Sequence, residues 1–460
     1  MSNLYPQRST EAGRGCAKFR AIDGRLLGGL IWLVTIVCVP VAHADANQFE
    51  AWARFISERR EYSGRFVHFP DPAPRPVADG IVLCAERAPV CVHAVPTQAP
   101  ARVALTLNAL QEAYEWLSAA GFALPYPDGG HGGDLNFDLY LVPGVEHGAG
   151  AAADAPIAWA DFDAAATHAL VDSALGDEAL PHCALVALTE AALLGQEPAE
   201  DEGVRRAIAA FIGWIRDLQF GCDNATEDAQ RAPELGTRGA RDEQVAAASL
   251  WLAMLSQRHD AGTGLFIRDA WDIARQKSEQ PDQLHETPTF WQAIAAALEK
   301  AGESLDDSAI EFAVARYFAG FALGALPELA RVPVAIAPAF AALPKHLAPP
   351  RAALATYGSA YTSVDTRGAA PGARLKVWLR GEPGVRWSLV AVRLDANGHE
   401  LGRVAAPPRT VPESYIPLEL EAGTKQVLLV VTKLPALPLI KPLPLDDASG
   451  FRLILDRAEP

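Results

Sequence analysis

The chain has 460 residues, of which 50% are apolar and 21% charged, a balance typical of a globular protein rather than a disordered one. This length predicts two or three domains and is sufficient for a large hydrophobic core. The formal net charge of −16 argues against nucleic acid and anionic lipid as partners, because both are themselves negatively charged.

The first 44 residues have the pattern of a secretion signal. Positive charges such as Arg14 and Arg25 precede an apolar run over 26–41, and the small-residue sequence AHA ends at Ala44. The run is short for a membrane span, and small residues before the exit favour cleavage near Ala44. We therefore expect an exported protein, periplasmic or extracellular, with no membrane contact beyond this segment. An uncleaved N-terminal anchor is the alternative.

Four cysteines follow the signal: Cys84, Cys91, Cys183 and Cys222. An even number in an exported chain predicts two disulfides, although four cysteines allow three pairings. A Cys84–Cys91 bond would join two short strands around a turn. A Cys183–Cys222 bond would then tie the start of one helix to the segment after the next. A zinc site built from all four is less favoured, because the spacings contain no close CxxC pair.

The region before the first long helical stretch mixes strand and helix patterns. After an N-terminal segment and Pro-rich linker over 45–79, alternation and β-branched residues predict strands, and apolar residues recurring every three or four positions predict a helix. In chain order we expect strands over 80–95, a helix over 101–122 capped by Gly121, the strand FDLYLV after a turn-rich loop, a short strand over 155–163, and a solvated connection over 168–182.

From residue 183 the pattern is helical and later changes to strand. Apolar residues recur at helical spacing through six segments up to residue 322. Residues 323–353 are rich in Pro and Ala, which indicates a linker or an irregular packed segment. Over 354–460 the period becomes two, with DANG at 395–398 marking a hairpin. About 100 residues of such strands are typical of a β-sandwich.

One carboxylate stands in the helix that opens the helical region. The stretch CALVALTEAALLGQ (183–196) is apolar except for Thr189, Glu190 and its last residue. Apolar residues on every side predict a buried helix, and a buried carboxylate is costly unless it is paired or protonated. Glu190 therefore needs an explanation.

Three motifs around Glu190 resemble a known family. PDGGHGGDLNFDLYLV (127–142), VALTEAALLGQ (186–196) and AIAAFIGWIRD (207–217) are similar, in this order, to segments of bacterial secreted zinc metalloproteases of the zincin type. In that family the second segment carries HExxH, whose histidines bind zinc and whose Glu acts on the bound water. The resemblance covers roughly residues 80–435. It implies an α+β fold: a helix-rich zincin-like domain over 80–322, followed by a C-terminal antiparallel β-sandwich over 354–460.

The resemblance also implies that the metal site is lost. Thr189 and Leu193 stand where the family has its two histidines, and Ala209 stands where it has its third ligand, a Glu. A hydroxyl, an isobutyl group and a methyl group do not replace two imidazoles and a carboxylate. Glu190 would then be a vestigial catalytic residue of an inactive peptidase without a cofactor.

Two other interpretations remain open. A relocated metal site could use His168, His182, Glu190 and the acidic loop 196–203, which would make the chain an active zinc-dependent hydrolase. Alternatively, Glu190 is a structural residue that pairs with Arg205 or Arg206.

The lost ligands favour a binding role over catalysis. A cleft inherited from a peptidase offers a groove for an extended chain, so we expect the partner to be a peptide, a surface polymer or another exported protein. The β-sandwich would be a second binding module by analogy of fold.

Overall fold

The computed structural model describes most of the chain from residue 75 onward. The described residues are 75–76, 80–126, 130, 132–217, 219, 221–222, 225–275, 277–278, 284, 288–318, 329–347, 353–370, 372–409, 413–435 and 448–458. The expected signal peptide and nearly all of the 45–79 segment lie outside them. The described part contains eight α-helices and 15 strands, so the expected α+β class is confirmed.

The helices and strands are named in chain order. The helices are α1 (Pro100–Ala120), α2 (Leu180–Gln196), α3 (Glu202–Asp217), α4 (Ala225–Arg231), α5 (Asp242–Asp260), α6 (Leu265–Ala274), α7 (Phe290–Lys300) and α8 (Leu305–Tyr317). The first eight strands are β1 (Ile81–Cys84), β2 (Val90–Ala94), β3 (Phe137–Val142), β4 (Ala149–Pro156), β5 (Ala165–Asp172), β6 (Val334–Ile336), β7 (Lys345–Leu347) and β8 (Ala353–Leu354). The others are β9 (Ser359–Asp365), β10 (Arg374–Gly381), β11 (Arg386–Leu394), β12 (Glu400–Arg409), β13 (Glu413–Glu419), β14 (Gln426–Leu434) and β15 (Ser449–Ala458).

A mixed sheet of five strands, in the order β1-β2-β3-β5-β4, forms the N-terminal part. Strands β2, β3 and β5 are parallel, whereas β1 and β4 run antiparallel to their neighbours. Residues that alternate along the strands, such as Val92, Leu139 and Ala169, join α1 and α2 in the main apolar core. The opposite face carries the side chains in between, because successive residues of a strand point to opposite sides.

Two expectations for this region are wrong. Residues 155–163 are mostly a turn rather than a strand, and the connection expected over 168–182 contains half of β5. Strand β4 was missed because Ala and Gly, which dominate its sequence, have low strand propensity. Small residues suit this place since α2 packs against both β4 and β5. A Cβ built on Gly195 of α2 would lie 3.1 Å from the carbonyl oxygen of Ala165 in the neighbouring strand β5.

The helix over 101–122 is confirmed as α1. Gly121 follows it with φ 74°, and its backbone N–H donates to the Ser118 carbonyl at 3.2 Å. This left-handed conformation suits glycine, so the expected C-cap is confirmed. Six further helices match their expected segments, and only the short α4 was not predicted.

Two five-stranded sheets make up the C-terminal part. One has the order β13-β10-β15-β7, with β8 also paired to β15, and the other has the order β12-β11-β14-β9-β6. Val377 and Leu453 of the first sheet share one apolar cluster with Leu389 and Leu429 of the second. The DANG turn joins β11 to β12, as the sequence predicts, and Asp395 accepts hydrogen bonds from the N–H groups of Asn397 and His399.

The helical and C-terminal parts are in contact. Val314 of α8 packs with Val390 and Val430 of the second sheet, and Tyr361 Oη donates a hydrogen bond to the Ala313 carbonyl at 2.7 Å. The 323–353 segment contributes β6 and β7, which pair with β9 and β15. It therefore takes part in the sheets over its described residues, while the expected domain boundaries stay a prediction.

Candidate functional site

Helix α2 positions the residues that the sequence singled out. Apart from Pro181 in its first turn, all of its residues are buried, because α1, α3, β4 and β5 pack around it. Thr167 Oγ1 of β5 donates a hydrogen bond to the Ala191 carbonyl at 3.0 Å and fixes the helix against the sheet. The apolar pattern thus correctly predicted a helix buried on all sides.

Glu190 is 5% exposed. Among the described residues no donor lies at hydrogen-bond or ion-pair distance from its carboxylate. Burial raises its pKa to about 7, the positive charges of Arg205 and Arg206 lower it, and the negative charge of Glu202 raises it further. A carboxyl group with a pKa near 7 is largely protonated in mildly acidic solution, so protonation is what offsets the cost of burial.

The ion pair expected between Glu190 and Arg205 or Arg206 is not formed. Arg205 Nη1 donates to the Glu200 carbonyl oxygen. Arg206 Nη1 donates to the Ala240 carbonyl at 3.0 Å. Both guanidinium groups are held by other acceptors, so they act on Glu190 only through longer-range charge interactions.

The carboxylate of Glu190 faces a cleft between α2, α3 and α5. We call it the Glu190 cleft; it is partly open to solvent and has a cavity volume of about 40 Å³. Its other polar or thiol-bearing lining residues are His147, Arg206, Cys222, Thr226, Asp242 and Ser249.

Asp242 organises one wall of the Glu190 cleft. Its Oδ1 lies 2.6 Å from Arg206 Nη2 and 2.8 Å from His147 Nδ1. His147 has φ 60°, a left-handed conformation that non-glycine residues seldom adopt and that costs free energy. The contact with Asp242 is one interaction that holds His147 there.

Thr189 and Leu193 line a different cleft. We call it the Leu193 cleft; it has a cavity volume of about 340 Å³, and its residues come from α2, α3, α6 and the segment after α1. Thr189 Oγ1 donates to the Leu185 carbonyl at 2.8 Å, so its hydroxyl is satisfied within the helix. Apolar side chains make up much of the wall: Phe122, Leu124, Leu193, Ile208, Ile212, Ile267 and Trp271.

The positions that the resemblance assigns to zinc ligands do not converge. Ala209 is fully buried in the main core and does not line the Leu193 cleft, where α3 instead presents Ile208 and Ile212. Glu190 faces the Glu190 cleft rather than the one that Thr189 and Leu193 share. The side chains at the three positions contain no zinc ligand, as the sequence already showed.

The residues of the alternative metal site are also apart. His168 lies in β5, with Nδ1 3.0 Å from Asp154 Oδ1. His182 lies in the first turn of α2, with Nδ1 3.0 Å from Asp217 Oδ2. Each histidine therefore has its own carboxylate partner.

The acidic loop 196–203 has structural contacts. Glu200 Oε2 accepts a hydrogen bond of 2.6 Å from the Phe290 N–H at the start of α7. Among the described residues, only Cys84, Cys91 and Asp134 bring three candidate metal-ligand atoms within 4.8 Å of one another, and two of these are disulfide-bonded. The described part of the chain thus does not assemble the relocated site.

A buried polar group that the sequence analysis did not find lies on the sheet face away from the helices. We call it the Asp138 cluster. Its members are Arg75, His93, Asp138, Tyr140, Asp154 and His168, and the last five are each at most 5% exposed.

Arg75 links the two carboxylates of the Asp138 cluster. Its Nη1 lies 2.9 Å from Asp138 Oδ2 and its Nη2 lies 2.7 Å from Asp154 Oδ2. The remaining oxygen of each carboxylate faces a histidine: Asp138 Oδ1 lies 2.8 Å from His93 Nε2, and His168 completes the pair with Asp154. Each carboxylate oxygen of the cluster therefore has a partner.

The cysteines behave differently from one another. Cys84 and Cys91 form the expected disulfide between the facing strands β1 and β2, so this prediction is confirmed. The expected Cys183–Cys222 disulfide is not formed. Cys183 is buried within the main core, whereas Cys222 packs at the edge of this core, lines the Glu190 cleft and has its Cβ near Gly148.

Some site residues were missed because their partners are distant in sequence. His147, Asp242 and Ser249 come from a turn and from α5, and no local pattern connects them to Glu190. The sequence contains a weak indication of the Asp138 cluster. Asp138 and Tyr140 alternate with apolar residues in β3, and His93 stands in the otherwise apolar β2, which indicates a second, polar face of the sheet.

Comparisons with known proteins add little to this geometry. No protein-family model matches the chain, and no curated protein matches it. Among solved structures, part of the chain is similar to the enzymatically active domain of tailspike protein 4 from bacteriophage CBA120, at 12% identity and a TM-score of 0.16. The match covers 25% of this chain and 15% of the tailspike chain. Likeness at that level carries no argument about fold or function. No described helix is long and apolar enough to cross a membrane.

Proposed function

We propose that this is an exported, non-catalytic binding protein, with a degenerate zincin-like metallopeptidase domain followed by a β-sandwich. Its Leu193 cleft would bind an extended peptide segment of another exported protein. The observation that carries the proposal is the chemistry of that cleft: an apolar wall surrounds Thr189 and Leu193, two of the three positions that the resemblance assigns to zinc ligands.

The shape and lining of the Leu193 cleft support a peptide as the ligand. Its cavity volume of about 340 Å³ lies at the lower end of the range of ligand-binding clefts. The apolar wall favours a hydrophobic side chain, because burying such a group is the main favourable term in binding. Arg268, Asp272 and Arg275 also line the cleft and offer both signs of charge to the polar backbone of a peptide. A hydroxyl-rich surface polymer matches an apolar wall less well.

The order of elements supports the two-part architecture. A mixed sheet, the buried helix α2 and the amphipathic helix α3 follow one another as the resemblance implies. Residues of the two C-terminal sheets share one apolar cluster, which supports a sandwich. The alternative, an active hydrolase with a relocated zinc site, has less support because His168 and His182 have separate partners.

A selection experiment tests the peptide-binding proposal. The purified chain is immobilised and a phage library of random decapeptides is selected on it. Enriched peptides are then synthesised and titrated calorimetrically against wild type, Leu193→Arg and Ile267→Ala. Leu401→Arg is the matched control, since Leu401 is an exposed leucine of β12 outside the cleft.

We expect enriched peptides to share an apolar residue. Leu193→Arg should weaken their binding at least tenfold, Ile267→Ala should change it by less, and Leu401→Arg should leave it unchanged. No enrichment, or peptides that bind Leu193→Arg as well as wild type, would overturn the proposal. Stoichiometric zinc in the purified protein, with chelator-sensitive proteolysis, would favour the hydrolase instead.

A further inference from the structure

The two cysteines of the Cys84–Cys91 disulfide differ in their access to solvent. Cys84 is exposed on β1, which lies at the edge of the N-terminal sheet, whereas Cys91 of β2 is 0% exposed. A thiol that attacks a disulfide must reach one of its two sulfurs, and the other sulfur is then the leaving group. Access therefore directs the attack to Cys84 and makes Cys91 the leaving group.

The carboxylate of Asp134 lies against both sulfurs. Its Oδ2 is 3.3 Å from Cys91 Sγ and 3.6 Å from Cys84 Sγ. Its Oδ1 accepts a hydrogen bond of 2.7 Å from the backbone N–H of Asn136, which holds the carboxylate in place. The sulfurs of a disulfide carry no proton, so Oδ2 receives no hydrogen bond from them. A thiol is a donor, and reduction of the disulfide would therefore supply Oδ2 with one.

The side chain of Asn136 supplies a donor to the buried sulfur. Its Nδ2 donates to Cys91 Sγ at 3.3 Å. When the S–S bond breaks, the departing sulfur is a thiolate, and a hydrogen bond to a charged acceptor is stronger than one to a neutral acceptor. The contact of Asn136 with Cys91 therefore becomes stronger at the moment when Cys91 leaves.

The strands that carry the two cysteines stay paired without the disulfide. Cys84 and Cys91 face each other in the register of β1 and β2, and three further residue pairs join the same two strands. Strand β2 is also paired with β3 along all five of its residues. These backbone hydrogen bonds do not depend on the sulfurs, so exchange at the disulfide does not require the sheet to unfold.

We propose that the Cys84–Cys91 disulfide is a thiol-exchange site of the folded protein, and that a low-molecular-weight thiol attacks it at Cys84. The attacking thiolate bonds to Cys84 Sγ, the Cys84–Cys91 bond breaks, and its electron pair stays on Cys91 Sγ, which then takes a proton from water. Asn136 stabilises the departing thiolate, and Asp134 accepts a hydrogen bond from the thiol that it becomes.

A second thiolate completes the exchange. It attacks the sulfur of the first thiol, which releases an external disulfide and the thiolate of Cys84. Two external thiols are thereby oxidised to one disulfide, and the Cys84–Cys91 disulfide is reduced to two thiols. This site is separate from the Leu193 cleft, and its existence does not depend on peptide binding there.

The test follows the reaction of the oxidised full chain with millimolar reduced glutathione at pH 7. Free thiols are trapped with N-ethylmaleimide at successive times, peptide mass spectrometry locates the bound glutathione, and circular dichroism checks that the fold is kept. The variants are Asn136→Ala, Asp134→Asn, which keeps an oxygen for the Asn136 N–H, and Glu86→Gln. Glu86 is an exposed residue between the two cysteines, so its variant controls for the loss of one negative charge in the same hairpin.

We expect glutathione to be found on Cys84 and not on Cys91, in protein that stays folded. Asn136→Ala should slow the attack about two- to tenfold, which corresponds to the loss of one hydrogen bond. Asp134→Asn should lower the equilibrium ratio of dithiol to disulfide by about the same factor, because the Cys91 thiol loses its acceptor. Glu86→Gln should change neither quantity.

Three results would each overturn the proposal: glutathione bound to Cys91, a disulfide that resists millimolar glutathione, or reduction that occurs only after the protein is unfolded in urea. Wild-type values for both the rate of Asn136→Ala and the equilibrium of Asp134→Asn would overturn it as well. Since none of these outcomes involves Leu193, they leave the proposed function untouched.

Discussion

The N-terminal part of the chain buries acidic side chains in two places, and the cost of burying their charge is offset differently in each. In the Asp138 cluster each carboxylate oxygen faces Arg75 or a histidine, and Asp138 itself is 1% exposed. In the Glu190 cleft a similarly buried carboxylate has no partner among the described residues. The first arrangement is that of a structural network, in which each member depends on the others. The second leaves a group whose ionisation opposes folding, which proteins retain at functional sites more often than elsewhere.

The largest expected effect comes from breaking the paired site. Asp138→Ala leaves His93 without its carboxylate and Arg75 with Asp154 alone, and removing one partner of a buried ion pair costs about 3–5 kcal/mol. We expect the free energy of unfolding, measured by urea denaturation at pH 7, to fall by that amount. Asp365→Asn is the control: it breaks an exposed pair with Arg367, which solvent screens, so its free energy of unfolding should stay nearly unchanged. A loss below 1 kcal/mol for Asp138→Ala would mean that the cluster is not the network described.

Removing the unpaired carboxylate of Glu190 is expected to stabilise the protein rather than destabilise it. The pKa of Glu190 is raised from 4.5 in the unfolded chain to about 7 in the fold. Between these values the folded state binds more protons, so this group makes the free energy of unfolding fall as pH rises from about 4.5 to 7 and then level off. Glu190→Gln removes this dependence.

The variant should therefore be more stable than wild type by about 3 kcal/mol at pH 8 and nearly equal to it below about pH 4. Urea denaturation of both proteins across this range measures the difference. A Glu190→Gln variant that is destabilised at pH 8 would show that the carboxylate has a partner in the folded protein.

The smallest effect on the free energy of unfolding is expected at Thr189, the residue before Glu190. Thr189 stands at a lost ligand position, and its hydroxyl bonds only to the Leu185 carbonyl within α2. Thr189→Val keeps the shape, so we expect the free energy of unfolding to change by less than about 1 kcal/mol. Thermal unfolding in the presence and absence of zinc checks this. A zinc-dependent shift in wild type that the variant loses would contradict the absence of a metal role for this residue.

Local patterns predicted the elements that local physics determines. The helix before Gly121, the strand FDLYLV and the DANG hairpin follow from apolar period and turn chemistry, and each is confirmed. Strand β4 escaped because its Ala-rich sequence fits a strand only where α2 packs closely over it. This is a tertiary condition that no window of sequence contains.

The site was predicted in part. The apolar run around Glu190 was sufficient to predict that the carboxylate is buried, and the burial is confirmed. Which cleft it faces depends on Asp242 and Ser249, more than 50 residues further along the chain. Likewise, the pairing of His168 with Asp154 requires that β4 and β5 be recognised as neighbours.

The central claim is that Glu190 is neutralised by protonation in a cleft without a metal. Its carboxyl carbon can be followed by NMR in protein labelled with ¹³C-glutamate, assigned by comparison with Glu190→Gln, during a pH titration with and without added zinc. The account predicts a midpoint at about pH 7 that zinc does not move. A midpoint near 4.5, the ordinary value, or one that falls when zinc is added, would contradict it.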